Sequence, residues 1–501
     1  MNPDIAAGFF QSVVPSNLMA TAIGALLGLI VGMIPGITIS TGIIVMLPLT
    51  FVLDPNMSIA LLLGLYVAGM TGGSFSAILL SIPGTPSASA TVLDGFPLTR
   101  NGEAGRALGI SISSGFFGGI MSFSCLFFIA PSLAAVALQF RAADLFSLVF
   151  FGLTVICSFA SRSLVKGLLS AAIGLLIVTV GQDPVMGTAR FTFGNADLLA
   201  GIHFLTALIG LFAIPQLIEN LKPAKPAAGT AATAFGTVLP RMVDLVRVRT
   251  AALIGALCGT FLGILPGVGG PIAAFISYDY AKKASASPEE FGKGAIEGIS
   301  APEAANNAVA GGALIPMMTL GIPGDPVTAI LIGALLVHGL APGPLLFLER
   351  ADFAYAVIFS YFWANIFNLA IALIAIRFLV KLLATPRVLL MPTIALLCVV
   401  GSYALRNSFF DVYVMFMFGL IGLGMRWLDM PVVPMLLALV LGPQLEEHLR
   451  VALTGSQGDV TIFFTSPFSL GFLCLSVVSV VWSLWFERRH KAASPGTMAT
   501  S

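Results

Sequence analysis

A thirteen-residue stretch occurs twice in this chain. Gly24 to Gly36 reads GALLGLIVGMIPG, and Gly255 to Gly267 reads GALCGTFLGILPG. Seven of the thirteen positions are identical without a gap, at an offset of 231 residues. The glycine pairs Gly24/Gly255, Gly28/Gly259, Gly32/Gly263 and Gly36/Gly267 fall on every fourth residue. That spacing bares one face of a helix, so a second backbone can lie against it. Pro35 and Pro266, each followed by a glycine, then end the helix. Proline clashes with the preceding turn, and glycine permits the reversal. Each copy predicts a tightly packed membrane helix that breaks inside apolar sequence.

The rest of the composition agrees. Of 501 residues, 57% are hydrophobic and 9% charged, and the mean hydropathy is +1.00. Soluble chains carry roughly a quarter charged residues. The prediction is an all-α polytopic membrane protein, with room for roughly 11 or 12 spans at about 20 residues each. A net charge of +1 and the lack of a basic arm argue against a nucleic-acid partner. The five cysteines stand singly, so neither a disulfide frame nor a structural metal site is expected. The N-terminus has no basic n-region, so no cleaved signal peptide is read there. Glycine at 53 positions and proline at 30 imply many helix breaks. In lipid, broken backbone survives only where protein or a water-filled cavity satisfies it.

Four breaks stand out: Pro35-Gly36, Pro83-Gly84, Pro266-Gly267 and Pro323-Gly324. The second and fourth lie in IPGTP (82–86) and IPGDP (322–326), related by an offset of 240. The chain therefore divides into a first transmembrane repeat (1–219), a basic cytoplasmic linker (220–250), a second repeat (251–450), and a last helix with a basic tail (451–501). The first ladder follows no Lys or Arg, whereas the second follows Lys222, Lys225, Arg241, Arg247 and Arg249. By the positive-inside rule the two copies enter from opposite sides. This predicts inverted repeats with broken helices or re-entrant hairpins, an arrangement of secondary transporters. The basic stop Glu487 to Lys491 predicts a cytoplasmic C-terminus. The stretch DGFPLTRNGEAGR (94–106) reads as a loop, and Ser287-Pro-Glu-Glu290 as a capping box.

A half-helix that starts after a break offers free N–H groups and the positive end of its dipole, which attract carboxylates. Candidate substrate-binding residues are Thr38, Ser40, Thr41, Pro83, Gly84, Thr85, Ser87, Gly267, Gly269, Pro323 and Gly324. The hydroxyls among them could instead cap helices. Asn306 and Asn307, two adjacent amides entering apolar sequence, either bind substrate or a coupling cation or hydrogen-bond between helices. Asp325 could bind Na⁺ or a proton, or cap the helix starting at Pro326. Glu303 reads as the acid of a capping box opened by Ser300. His203 and His338 lack metal-ligand spacing. No enzyme signature and no P-loop is present, so the chain is read as a non-enzyme that ATP does not drive directly.

Three long stretches, GLIVGMIPG with its second copy GTFLGILPGVGG, GGSFSAILLSIPGTPSASATVLDGFPL, and APEAANNAVAGGALIPMMTLGIPGDP, resemble the large membrane subunit of the tripartite tricarboxylate transporters, the TctA family. The resemblance runs from about residue 17 to 450. The family's motifs map onto Pro35, Gly36, Pro83, Gly84, Pro266, Gly267, Glu303, Asn306, Asn307, Pro323 and Gly324. The resemblance implies a bacterial inner-membrane importer with a small four-span membrane subunit and a periplasmic binding protein. It implies carboxylate uptake driven by a Na⁺ or H⁺ gradient, with no cofactor beyond that coupling ion. Two other readings stand beside it: a lone carboxylate exchanger or efflux carrier without a binding protein, and a non-transporting membrane scaffold.

Overall fold

The computed structural model describes residues 3–34, 36–159, 163–183, 186–220, 238–382 and 387–493. Pro35 of the first break, and Lys222 and Lys225 of the linker, lie outside the described residues, as do the side chains of the basic stop at 487–491. In chain order the helices are α1 (Pro3–Ser12), α2 (Pro15–Met33), α3 (Ile39–Thr50), α4 (Pro55–Leu80), α5 (Ser89–Arg100), α6 (Ala104–Ala137), α7 (Ala142–Phe159), α8 (Leu164–Val178), α9 (Phe204–Asn220) and α10 (Met242–Ile264). They continue with α11 (Gly269–Ala284), α12 (Ile296–Leu320), α13 (Pro326–Val337), α14 (Pro344–Glu349), α15 (Ala351–Leu382), α16 (Arg387–Arg406), α17 (Phe409–Trp427), α18 (Val432–Gly455), α19 (Ile462–Thr465) and α20 (Pro467–Ala493). A two-stranded antiparallel ribbon joins β1 (Gly181–Gln182) to β2 (Ala189–Arg190).

This is an all-α, multi-pass membrane protein. Among the described residues eight helices are long and apolar enough to cross a membrane, and six more apolar helices are shorter. The two sets bracket the 11 or 12 spans expected from length. Proline opens many of the helices, as its fixed φ and missing N–H favour: Pro15 in α2, Pro55 in α4 and Pro326 in α13. The Asp54 carboxylate accepts from Asn56 N at 2.9 Å to cap α4. Left-handed residues close the two central helices, Ser81 (φ 60°) after α4 and Gly321 (φ 69°) after α12.

Two sequence readings are corrected here. The supposed loop at 94–106 is helical as far as Arg100, within α5. The Asp94-Gly95-Phe96-Pro97 run looks turn-forming, but Asp94 spends its carboxylate on a different segment, described below. Ser287-Pro-Glu-Glu290 is a 3₁₀ turn whose Ser287 side chain makes no capping bond.

The chain forms two compact units. One comprises residues 1–135 and 212–412, the other 136–211 and 413–501. In the second unit α18 packs on α7 and α8, and α20 packs on α7. Arg190, Asp183, Glu446 and Arg450 form a closed ring of ion pairs at 2.7–3.5 Å beside the ribbon.

The first unit is built on the glycine ladders. A Cβ added to Gly24, Gly28 or Gly32 of α2 would stand 2.0, 2.4 or 2.1 Å from the carbonyl oxygens of Leu61, Leu65 and Gly69 on α4. The second ladder meets α12 in the same way. Gly255, Gly259 and Gly263 would collide at 2.2, 2.2 and 2.6 Å with the carbonyls of Ala301, Ala305 and Val309. The contacted carbonyls are related by the offset of 240 that relates the two IPG motifs, so both helix pairs share one register. Residues 58–80 of α4 and 298–319 of α12 are buried without interruption. Over these stretches neither helix shows an exposed polar face, as suits buried helices.

Because the obstruction is backbone, a larger side chain on the ladder has nowhere to go. Gly28→Leu and Gly259→Leu should each cost about 3 kcal/mol or more, beyond ordinary overpacking. Gly424→Ala on α17, where nothing lies within 4 Å, should stay within about 1 kcal/mol of wild type. Thermal unfolding of the purified protein in detergent checks all three. A neutral Gly28→Leu would show that the ladder contact is loose.

Candidate functional site

After α4 the left-handed Ser81 turns the chain out of the helix before it reaches Pro83. Gly84 fills the gap. Its N–H donates to Gly73 O at 3.0 Å, and a Cβ there would stand 2.1 Å from Gly32 O. After α12 the equivalent Gly324 is wedged against Ala313 Cα and Gly263 O, each at 2.7 Å from its Cβ position. The Gly267 N–H donates to Gly324 O at 2.9 Å. Each Pro-Gly break that follows a ladder thus meets the break that follows the ladder's partner helix.

At the first of these meetings lies a cavity of about 250 Å³, lined by residues 36–38, 83–86 and Gln216. Its lining carries no charged side chain. The first turn of α3 begins here, and Thr38 caps it. Thr38 Oγ1 accepts from Thr41 N at 3.1 Å and pairs with the Thr41 hydroxyl at 2.8 Å. Ser40 is half-buried in that turn. Gln216 of α9 closes the other side, its amide donating to Gly36 O. Gly36 takes φ 94°, which a side chain would strain.

Thr85 leads inward from the cavity. Its hydroxyl lies 3.1 Å from Ser87 Oγ. Ser87 and Asn306 in turn flank the first turn of α11, since a Cβ on Gly270 would stand 3.0 Å from Ser87 Cβ and 3.3 Å from Asn306 Oδ1. Gly269 opens α11 with φ 66°. The Asn306 amide donates to Met70 O at 3.3 Å, while its Oδ1 is buried without a hydrogen-bond partner. An unpaired buried amide oxygen costs a few kcal/mol.

The other residues named from sequence are engaged within the protein. Asn307 Oδ1 accepts from Thr71 Oγ1 at 3.1 Å, and its Nδ2 donates to Glu303 O at 3.1 Å. Asp325 caps α13 in a full capping box with Thr328, and its second oxygen accepts from Tyr66 OH at 2.5 Å. The partners of Asn307 and those of Asp325 are separate sets. Glu303 is not a capping residue. Ser300 and Glu303 lie inside α12, which begins at Ile296, and the Ser300 hydroxyl pairs with Ser114 at 2.7 Å. Among the described residues no group of three or more His, Cys, Asp and Glu side chains could hold a metal ion.

The family model described as the tripartite tricarboxylate transporter TctA family matches residues 18–437. The chain belongs to the TctA family. This makes it a membrane subunit of a tripartite tricarboxylate transporter, one part of a larger system. Two proteins of Agrobacterium vitis are similar. The "Uncharacterized 52.8 kDa protein in TAR-I ttuC' 3'region" is 37% identical over 488 residues, covering 97% of either chain. The "Uncharacterized protein in TAR-II ttuC' 3'region" is 41% identical over 233 residues, 46% of this chain and 96% of the relative. No solved structure matches.

Several residues of this TctA chain that shape the site carry no local signal. Gln216 is a single amide in the apolar run FAIPQLIEN. Asp94 sits in α5, downstream of the break, and ties it to the segment before α12. Its Oδ1 accepts from the N–H groups of Gly292, Gly294 and Ala295, each at 2.8 Å, and its Oδ2 accepts from Tyr278 OH at 2.8 Å. Asp94→Ala should therefore lower stability by about 1.5–3 kcal/mol, the scale of charge-assisted bonds. It should also open residues 286–295 to limited proteolysis. Unchanged melting and unchanged cleavage together would show that this clamp carries no stability.

Proposed function

We propose that this chain is the large, translocating subunit of a bacterial inner-membrane importer for small carboxylates. The cavity between the first two breaks holds part of the substrate. It works with a small four-span membrane subunit and a periplasmic binding protein, has its C-terminus in the cytoplasm, and is driven by a Na⁺ or proton gradient with alternating access. The two ladder hairpins are the halves of an inverted repeat: the shared register of their contacts supports the repeat, and the basic residues before the second ladder support the inversion.

The observation that carries this reading is that the first two breaks and Gln216 of α9 line one cavity of about 250 Å³. That volume lies just below the roughly 300–1,000 Å³ of typical small-molecule sites, which favours a compact acid. The groups around it suit an anion that must also be released. The helix start at α3 supplies N–H groups and dipole, Thr38, Thr85 and Gln216 supply neutral polar contacts, and the start of α11 lies farther in, beside Ser87. A lysine or arginine there would hold a carboxylate more tightly. The Asn306 amide oxygen suits a substrate hydroxyl, which can donate to it.

Uptake of labelled citrate and other carboxylates into proteoliposomes holding this chain and its small partner tests the reading, with and without the binding protein. Dependence on the binding protein and on one ion gradient is the expected result. Uptake without the binding protein would favour a lone carrier, and no uptake of any acid by folded protein would remove the transport reading. Within that assay Thr85→Val should weaken apparent substrate affinity about tenfold, the worth of one charge-assisted hydrogen bond, and Thr85→Ser should restore it. Equal affinity in both variants would take the Thr85 hydroxyl out of the site.

A further inference from the structure

Glu303 is fully buried in α12. Its carboxylate accepts from Ser74 Oγ of α4 at 2.6 Å, from Thr91 Oγ1 of α5, and from Ser111 Oγ of α6 at 3.0 Å. Among the described residues these three hydroxyls are the hydrogen-bond partners of the carboxylate, and no cation pairs with it. The neighbouring ionisable groups are committed elsewhere. Tyr66 holds Asp325, Tyr361 pairs with Ser122, and Tyr278 donates to Asp94. Glu297 bonds Ser285, and Arg106 bonds Asp244 and Glu103. On α10, Arg247 pairs with Glu290, and on α11 Lys283 pairs with Asp279. A buried carboxylate without a cationic partner is costly in a membrane protein and marks a functional group by default.

We infer that Glu303 is the residue that carries the coupling proton. The inference rests on the importer reading above. The chemistry of the shell points to it. A backbone N–H or an arginine can only donate, so it supports the ionised carboxylate alone. A hydroxyl both donates and accepts, so three hydroxyls satisfy the carboxylate and, after one rotates, the carboxylic acid as well. A proton from the outer solution adds to one Glu303 oxygen, one hydroxyl turns from donor to acceptor, and the same proton leaves to the inner solution later in the cycle.

The position of the shell links this event to the substrate site. Ser74 and Thr91 lie on α4 and α5, the helices on either side of the break that carries Thr85 and Ser87. Glu303 lies one turn before Asn306 and Asn307. Protonation therefore changes what α12 grips on the two helices that flank the cavity-lining segment 83–86.

The test uses proteoliposomes with this chain and its partner subunit, with labelled citrate as the probe. Uptake is measured under a pH gradient with equal Na⁺ on both sides, and again under a Na⁺ gradient at equal pH. Exchange of labelled against unlabelled citrate is measured with no gradient. Wild type should accumulate citrate under the pH gradient. Glu303→Gln should lose at least tenfold of that accumulation while exchange stays within threefold. Thr91→Val removes one donor to the anion, so the acid form gains, and the pH midpoint of uptake should move upward by about one to two units. Full accumulation by Glu303→Gln, or wild-type uptake that follows Na⁺ and ignores the pH gradient, would overturn the inference and leave the importer reading standing. Should Glu303→Gln fail to fold, an unmoved midpoint in folded Thr91→Val overturns it instead. A folded wild type that neither accumulates nor exchanges any carboxylate would overturn both.

Discussion

Backbone lying on backbone is the constraint on which the first unit depends. Six ladder glycines face six carbonyl oxygens at distances no Cβ could accept. Contact this close gains dispersion along the whole seam and leaves no side chains between the helices to set their register. The register is set at the ends instead, where Gly84 meets Gly32 O and Gly324 meets Gly263 O. The breaks are thus fixed relative to the ladders, and the breaks are where the polar groups gather. A chain with the same breaks but with alanine ladders would hold α2 and α4 farther apart, and Gly84 would lose the surface it seats on.

Complete burial of α4 and α12 follows from the ladders and imposes the next condition. Every polar side chain on these helices must find a partner inside the protein. Thr71 meets Asn307 and Asn368, Ser74 meets Glu303, and Tyr66 meets Asp325. These pairs join α4 to α12, to the start of α13 and to α15, so these polar residues hold the unit together. Asn306 Oδ1 departs from the pattern, since it is buried and unpaired. Its neighbours, Ser87 and the start of α11, are groups that can bind an anion.

The ladders, the four breaks and the helical character of the chain were legible in the sequence because each depends on residue type at short spacing. Glycine every fourth residue and proline before glycine have few structural meanings in apolar sequence. The surroundings of Glu303 were not legible. Ser300-x-x-Glu303 matches a capping box locally, but the helix starts four residues before Ser300, so tertiary structure overrides the pattern. Ser74, Thr91 and Ser111 come from three helices, and nothing in their local sequence joins them. α5 was missed for a related reason. Asp-Gly-Phe-Pro has turn chemistry, yet three backbone N–H groups nearly 200 positions away claim the Asp94 carboxylate and leave the helix intact. Gln216 was invisible because a single amide has no pattern at all.

The two breaks of the IPG motifs differ at one position, and the difference gives the halves different characters. Asp325 in the second motif closes a capping box with Thr328 and accepts from Tyr66. A carboxylate held by three donors in a buried place resists movement, because any shift strands a charge. Thr85 in the first motif opens only a three-residue 3₁₀ turn, and its side chain makes no capping bond. Thr85 lines the cavity, and among the described residues its hydroxyl pairs with Ser87. Exchanging one hydroxyl partner for another costs little, since a hydroxyl can both donate and accept. The change from Thr85 to Asp325 between the two IPG motifs thus leaves one break fixed and the other adaptable, and the adaptable one borders the cavity.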